Sequence, residues 1–140
     1  AYGPGQRVPP FHPPVVPNFL KHALTNGSIV LHGDGSQTRD YVFVDDVVNA
    51  MVTSATASAV DQQIINIGSG VETSVRELAR LVVQTVGTKP EEIFNPHKSG
   101  GSERMCADIS KAYEKLNYLP LIPLEVGLRL TLERDPQFQK

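Results

Sequence analysis

Residues 29–44 read IVLHGDGSQTRDYVFV, with two apolar runs on either side of a polar, glycine-rich centre. The apolar runs predict short strands at Ile29–His32 and Tyr41–Val44. Between them Asp34-Gly35 is a strong turn signal, so the spacing alone favours a hairpin with a merely polar loop. The alternative is a phosphate site, made by free N–H groups of the turn together with Arg39. A guanidinium suits that role because it can hold two phosphate oxygens at once.

Helical periodicity flanks this stretch. The clearest helix follows Ser74, which forms a capping box with Glu77, and it ends at Gly87. Its apolar stripe comprises Val75, Leu78, Ala79, Val82, Val83 and Val86. Four more helices are predicted. The first runs from Val15 to Leu24, with Pro17 in its first turn and Gly27 as a left-handed cap. The others are a helix capped by Asp45 or Asp46, a helix that is capped by Asp108 and ends at Leu116, and a helix that begins at Leu124.

The rest of the chain adds one strand and a long loop. Ile64–Ile67 is predicted as a compact, buried strand, and residues 88–103 as mostly loop. Helices therefore outnumber the strands, and the strands are short. We expect a mixed α/β (α+β) fold made by residues 1–140 as one domain, because a doubly wound parallel sheet needs more buried strands.

Composition limits the classes of function. The chain has 140 residues, enough to bury a real core, and a net charge of −2, which argues against nucleic-acid binding. The single cysteine, Cys106, excludes an internal disulfide framework and a multi-thiolate zinc site. We expect a buried free thiol there rather than a catalytic one. No apolar run approaches the roughly 20 residues of a membrane span, and no signal peptide is visible. The expectation is a soluble, cytoplasmic protein that binds neither nucleic acid nor membrane.

The beginning of the chain also carries information. Its first residues, Ala1-Tyr2-Gly3-Pro4-Gly5, lack a methionine and lie inside a turn signal. We interpret the chain as a piece of a longer protein, and trimming of a short leader is the alternative.

Further polar segments allow a structural and a functional interpretation. Residues 66–70, Asn-Ile-Gly-Ser-Gly, have the placement of a dinucleotide-binding loop, but Thr73 occupies the position of the required third small residue. A tight turn is therefore favoured over ligand contact. Lys98, Arg104 and Asp108 are either solvated charges with a helix cap or groups closing over a diphosphate. For Asp108 the cap is favoured.

The histidines do not suggest a metal site. The chain has four of them, His12, His22, His32 and His97, and no pair has a recognised metal-ligand spacing. We predict no metal. His32 ends a strand beside the glycine turn, where its ring could stack on a base or pack against the end of the strand.

Several motifs occur in a fixed order along the chain. They are Tyr2-Gly3-Pro4-Gly5-Gln6, the stretch from His32 to Val47, Asn66-Ile67-Gly68-Ser69-Gly70, Ala107-Asp108-Ile109-Ser110-Lys111-Ala112 and Pro123-Leu124-Glu125-Val126-Gly127-Leu128. Together they resemble the C-terminal third to half of NAD-dependent nucleotide-sugar epimerases and dehydratases, which are extended short-chain dehydrogenase/reductase enzymes. The resemblance implies a small substrate-binding domain with several helices and short strands, lacking the Rossmann domain.

The resemblance also implies site residues. Arg39 would bind the diphosphate, and His32, just before Gly33, would lie beside the base. Lys98 stands where the family has an arginine. Its ammonium group would supply the positive charge but could not bind two phosphate oxygens at once, as a guanidinium does. The substrate-binding set is then Arg39, His32, Gly33, Lys98, Arg104 and Asp108. Gly101 stands where the family has an acidic ribose contact, so that contact is not expected.

For the cofactor, the resemblance implies that Tyr2, Gly3 and Pro4 pass near the nicotinamide end of NAD. The chain has no Tyr-x-x-x-Lys pair and no complete Gly-x-x-Gly-x-x-Gly motif. We therefore assign no catalytic residue and expect the isolated chain to be inactive.

A longer parent would be an NAD-dependent 4-epimerase of the UDP-glucose/UDP-galactose type. The close rival is dehydration or decarboxylation of a dTDP- or UDP-sugar. Two further hypotheses involve no chemistry: a nucleotide-binding module, and a purely structural piece that binds nothing by itself. The family implies a homodimeric parent, and an isolated chain could self-associate through exposed apolar surface.

Overall fold

The computed structural model describes residues 1–58, 60–97 and 102–139. This part of the chain has the expected mixed α/β fold. Its helices are α1 (Val15–Leu24), α2 (Val44–Thr56), α3 (Val75–Val86), α4 (Ser110–Leu116) and α5 (Leu124–Arg134), with a 3₁₀ turn at Pro136–Phe138. Its strands are β1 (Ile29–His32), β2 (Thr38–Asp40), β3 (Glu72–Ser74) and β4 (Glu92–Asn95). None of the described helices has the length and apolar character needed to cross a membrane.

The main core lies where α1, α3 and α5 meet β1. Ile29 and Leu31 of β1 are fully buried, whereas Val30 between them is exposed, because successive side chains of a strand point to opposite faces. A smaller apolar cluster lies between α2 and α4, around Ala50 and Leu116. The exposed face of β1 is therefore left for a surface groove.

The strands form two separate two-stranded sheets. β1 pairs in parallel with β4, with Ile29 opposite Glu92, and β2 pairs antiparallel with β3, with Arg39 opposite Thr73. The hairpin interpretation is therefore wrong, since β1 and β2 belong to different sheets. The glycine turn between them carries the chain from one sheet to the other.

Two predicted strands are also wrong. At Tyr41–Val44, Phe43 makes an isolated bridge to Tyr2, and Val44 already begins α2. Residues 64–67 are irregular, and Ile64 is 86% exposed. Their apolar character has another cause, because Ile65 and Ile67 pack against the α2–α4 cluster. Conversely, β4 lies within residues 88–103, for which the sequence predicts mostly loop.

The predicted start and end of α3, at Ser74 and Gly87, are confirmed. Ser74 Oγ accepts a hydrogen bond of 3.0 Å from the Glu77 N–H, and Gly87 ends the helix with a left-handed φ of 75°. The Glu77 carboxylate binds Arg80 on the helix surface rather than the Ser74 N–H. The predicted cap therefore forms through its serine half.

Other predicted caps are displaced. The left-handed residue after α1 is Asn26, with φ 52°, and not Gly27. At α4 the residue before the helix is Ile109, although the Asp108 carboxylate still accepts a 2.9 Å bond from the Ser110 N–H. The asparagine can take the left-handed conformation because its short polar side chain tolerates it.

Neither Asp45 nor Asp46 caps α2, which begins after Phe43. Asp46 is buried, and its two oxygens accept hydrogen bonds of 3.0 and 3.1 Å from the N–H groups of Leu121 and Ile122. Its carboxylate therefore fastens α2 to the segment that leads into α5.

The first residues of the chain are held by the last ones. The buried Tyr2 ring packs edge-on against Phe43, and its hydroxyl donates to the Leu124 carbonyl. Gly127 faces this hydroxyl so closely that a Cβ there would overlap it. The Gly5 N–H donates to Asp135 Oδ2 at 2.7 Å. The N-terminal segment is thus part of the core around α5.

Asp135 should make the stability of the chain depend on pH. Burial alone would raise the pKa of Asp135, but hydrogen bonds from Gln137 and from the Gly5 N–H outweigh it and lower that pKa. A carboxyl group with a lowered pKa in the folded state stabilises above its unfolded pKa, and this contribution is lost as the pH falls through the folded value. Below about pH 4 we expect the free energy of unfolding to fall more steeply for the wild type than for Asp135→Asn. Urea unfolding at several pH values measures this, and parallel pH profiles would contradict it.

Candidate functional site

A groove of about 680 Å³ opens between the proline-rich loop before α1 and the strands β1 and β2. We call it the main groove. Its lining combines apolar and polar residues in similar number, and Val30 of β1 and Val75 of α3 are among the apolar ones. Its polar members are His12, Asn18, His32, Gln37, Arg39 and Tyr41. Apolar walls with a few converging polar groups are typical of small-molecule sites.

Arg39 lines this groove, and hydrogen bonds to two backbone carbonyl groups hold its side chain. It is the central residue of β2, is half-buried, and donates from Nη1 to the carbonyls of Thr38 at 2.7 Å and Ser102 at 2.8 Å. These bonds hold the guanidinium in one orientation. A guanidinium held in this way is suited to bind an anion without first losing side-chain freedom.

Two buried polar atoms of the main groove have no hydrogen-bond partner within the described residues. They are His32 Nδ1 and the hydroxyl oxygen of Tyr41. Burial raises the pKa of Tyr41 to about 12, against the opposing effect of the Arg39 charge, so its phenol stays protonated at neutral pH and can donate. Buried polar groups are nearly always hydrogen-bonded, so these two atoms indicate where a ligand would bind.

A second groove of about 460 Å³ lies beside β2, and Arg39 lines it as well. The Asp40 carboxylate accepts hydrogen bonds there from the N–H groups of Ser69 (2.7 Å), Gly70 (2.9 Å) and Ala107 (3.2 Å), and from the Ser69 hydroxyl (2.7 Å). The N–H groups that a dinucleotide loop would offer to a ligand are thus bound to Asp40. This agrees with the tight-turn interpretation of residues 66–70.

Within the described residues, Gly33, Arg104 and Asp108 are not among the residues that line the main groove. Arg104 is exposed and forms an ion pair with Glu72. The hydrogen bond from Arg104 lowers the pKa of the Glu72 carboxyl group. Asp108 lines the second groove. Gly33 lies in the turn after β1 with φ 62°. Lys98 lies outside the described residues, as do residues 100 and 101.

Cys106 is exposed, and the expectation of a buried thiol is wrong. Its sulfur lies on the second groove, 4.0 Å from Asp40 Oδ2. Partial desolvation and the negative charge of Asp40 raise the pKa of this thiol. A raised pKa disfavours the reactive thiolate.

The residues expected near NAD are Tyr2, Gly3 and Pro4, and they belong to the packed N-terminal segment. Tyr2 is buried, with its hydroxyl bonded to Leu124, and Gly3 packs closely against Val44. Pro4 is half-buried and has no polar side-chain atom. These three residues therefore present no available polar side chain to a cofactor, and their proximity to NAD stays a prediction.

Sequence reasoning missed several lining residues, above all Tyr41, Asn18 and Gln37. Tyr41 carried a usable signal, because it follows Arg39 by two positions and residues two apart in an extended segment share a face. Asn18 becomes a lining residue through the way α1 packs, which the sequence did not indicate.

Comparison with known proteins identifies the family. A family model described as "NAD dependent epimerase/dehydratase family" matches residues 1–68. UDP-glucose 4-epimerase of Mycolicibacterium smegmatis is 40% identical over 132 residues, which are 94% of this chain and 42% of that protein. UDP-glucuronic acid decarboxylase 1 of Danio rerio is 33% identical over 119 residues, 85% of this chain and 28% of that protein.

A solved structure agrees. The crystal structure of UDP-glucose 4-epimerase from Thermotoga maritima with UDP-glucose superposes with a TM-score of 0.86 at 37% identity, over 94% of this chain and 42% of that one. The chain thus spans less than half the length of the relatives it matches, and it corresponds to their C-terminal part. On these findings, the chain belongs to the NAD-dependent epimerase/dehydratase family.

Proposed function

We propose that the main groove binds the nucleotide part of a UDP-sugar. Arg39 would hold the diphosphate, and His32 would lie beside the base. The observation that carries the proposal is that a fixed arginine and two unpartnered buried polar atoms share one groove of ligand size. The two atoms supply an acceptor or donor at His32 and a donor at Tyr41.

The relatives support a nucleotide rather than one particular reaction. Their names combine UDP- or dTDP-sugars with epimerase and with decarboxylase activities. A region shared by these proteins is expected to bind the part that their substrates share. We propose a UDP-glucose 4-epimerase as the parent activity, since that name recurs among the similar sequences and structures. Decarboxylation of a UDP-sugar is the second candidate.

Binding in this groove would restrain the nucleotide. The Arg39 charge would offset that of the diphosphate through charge-assisted hydrogen bonds, and the Tyr41 hydroxyl would donate a further bond. We propose that this chain anchors the substrate, while hydride transfer with NAD uses residues beyond it, so that the chain alone is inactive. NAD, when bound in a parent protein, would supply the oxidation and reduction of the sugar. Gly33, Lys98, Arg104 and Asp108 stay predictions as substrate contacts.

Titration calorimetry of the 140-residue chain tests the proposal. We expect UDP to bind at least about tenfold more tightly than uridine, because the diphosphate adds charge-assisted bonds of about 1.5–3 kcal/mol. Inorganic pyrophosphate should compete with UDP. Equal affinities for UDP and uridine would contradict the assigned role of the groove.

A further inference from the structure

Phe11 presents an aromatic ring to water on the wall of the main groove. The residue is 81% exposed and lines the groove beside Pro10 and His12. Phenylalanine is among the residues most often buried. An exposed ring that faces a ligand-sized groove is therefore positioned to bury its face against a bound molecule.

Prolines restrict the backbone on both sides of Phe11. Two prolines precede Phe11 and two more follow His12, and each proline fixes its own φ angle. His12 itself adopts a left-handed φ of 50°. A backbone restricted in this way has less entropy to lose when the loop binds a ligand, which is the advantage of preorganisation.

A nucleotide held at Arg39 through its phosphates still has a flat base to place. Bases stack on aromatic side chains because every base has a π-face. We infer that the Phe11 ring stacks on the nucleobase of the bound nucleotide. This inference rests on the proposed function, and it adds to the groove a contact that selects for a base.

The test compares a ligand with a base and a ligand without one. For Phe11→Ala we expect the affinity for UDP to fall about fivefold or more, the usual effect of losing one base–aromatic stack. The affinity for inorganic pyrophosphate should stay unchanged. Phe11→Trp should retain UDP binding, because the indole also stacks. Both affinities can be measured by titration calorimetry on the 140-residue chain.

Phe94→Ala is the matched control. Phe94 is also an exposed phenylalanine, at 45%, but it packs under the Arg76 guanidinium and does not line the main groove. This variant should bind UDP like the wild type. An unchanged UDP affinity in Phe11→Ala, or an equal loss for UDP and pyrophosphate, would overturn the stacking role. If the wild type binds pyrophosphate as tightly as UDP, the base adds no affinity. That result would contradict the stacking inference but would agree with the proposed phosphate site. If it binds neither ligand, the proposed function itself fails.

Discussion

Replacing Arg39 with alanine is expected to weaken UDP binding by about 10- to 150-fold, equivalent to about 1.5–3 kcal/mol. The guanidinium is held on the groove wall by its bonds to the carbonyls of Thr38 and Ser102. The variant would remove the charge-assisted bonds to the diphosphate. Arg39→Lys should recover a part of the affinity, because an ammonium group restores the charge without the planar fork. Titration calorimetry with UDP measures all three proteins.

Arg76→Ala is the control for the loss of a positive charge. Arg76 belongs to α3 and lies over the Phe94 ring, away from the lining of the main groove. The control variant should change the UDP affinity by less than about twofold, since exposed charges are largely screened by salt. Because Arg39 also holds the Ser102 carbonyl, urea unfolding must show that Arg39→Ala is folded. A folded variant with an unchanged dissociation constant would rule out the diphosphate role.

Replacing Asp40 with alanine should cost the fold about 3 kcal/mol of unfolding free energy. One Asp40 carboxylate accepts four hydrogen bonds from Ser69, Gly70 and Ala107, and bonds to a charged group are worth about 1.5–3 kcal/mol each but are not additive. Water can satisfy some of the released N–H groups, because Gly70 is exposed. Gly68 packs closely against both Asp40 and Ala107, so the loop cannot readily move in to fill the space. Urea unfolding gives the free energy directly.

Asp45→Ala is the matched comparison for this loss. Asp45 is another aspartate, in the first turn of α2, and it forms an ion pair with Arg134. The side chain of Asp45 is 47% exposed and that of Arg134 is 51% exposed. Surface pairs of this kind contribute about 0–1 kcal/mol. Asp40→Asn should be destabilising as well, because its amide N–H₂ would face backbone donors. Equal costs for Asp40→Ala and Asp45→Ala would show that the carboxylate does not hold the two segments together.

The helices were predictable because their signals are local. The start and end of α3 are determined by Ser74 and Gly87, which lie next to the helix they bound. The strands were not, because each depends on a distant partner. β4 consists of three exposed residues and one half-buried residue, and it pairs with β1, which lies far earlier in the chain. No alternating pattern could have indicated it.

The candidate site was predictable in part. The resemblance selected Arg39 and His32, and the structure brings both to the main groove, although their contacts with a ligand remain predictions. Arg104 was selected as a member of a charged cluster near the family's diphosphate contacts, and in the structure its guanidinium forms an ion pair with Glu72. Tyr41 was missed although it follows Arg39 by only two positions, and in the structure it lies between β2 and α2. Side-chain partners of this kind depend on tertiary packing and cannot be inferred from residue type.

The attachment of the first residues to the last has a consequence for how this protein folds. The hydrogen bonds from Tyr2 to Leu124 and from Gly5 to Asp135 join residues 122 and 130 positions apart. During synthesis Tyr2 therefore cannot make its contact with Leu124 until α5 has left the ribosome, and until then this side of the core is incomplete. Contacts between residues so distant in sequence slow folding, because the two segments must meet before the contact stabilises anything. Throughout that interval the open side of the core is exposed to aggregation.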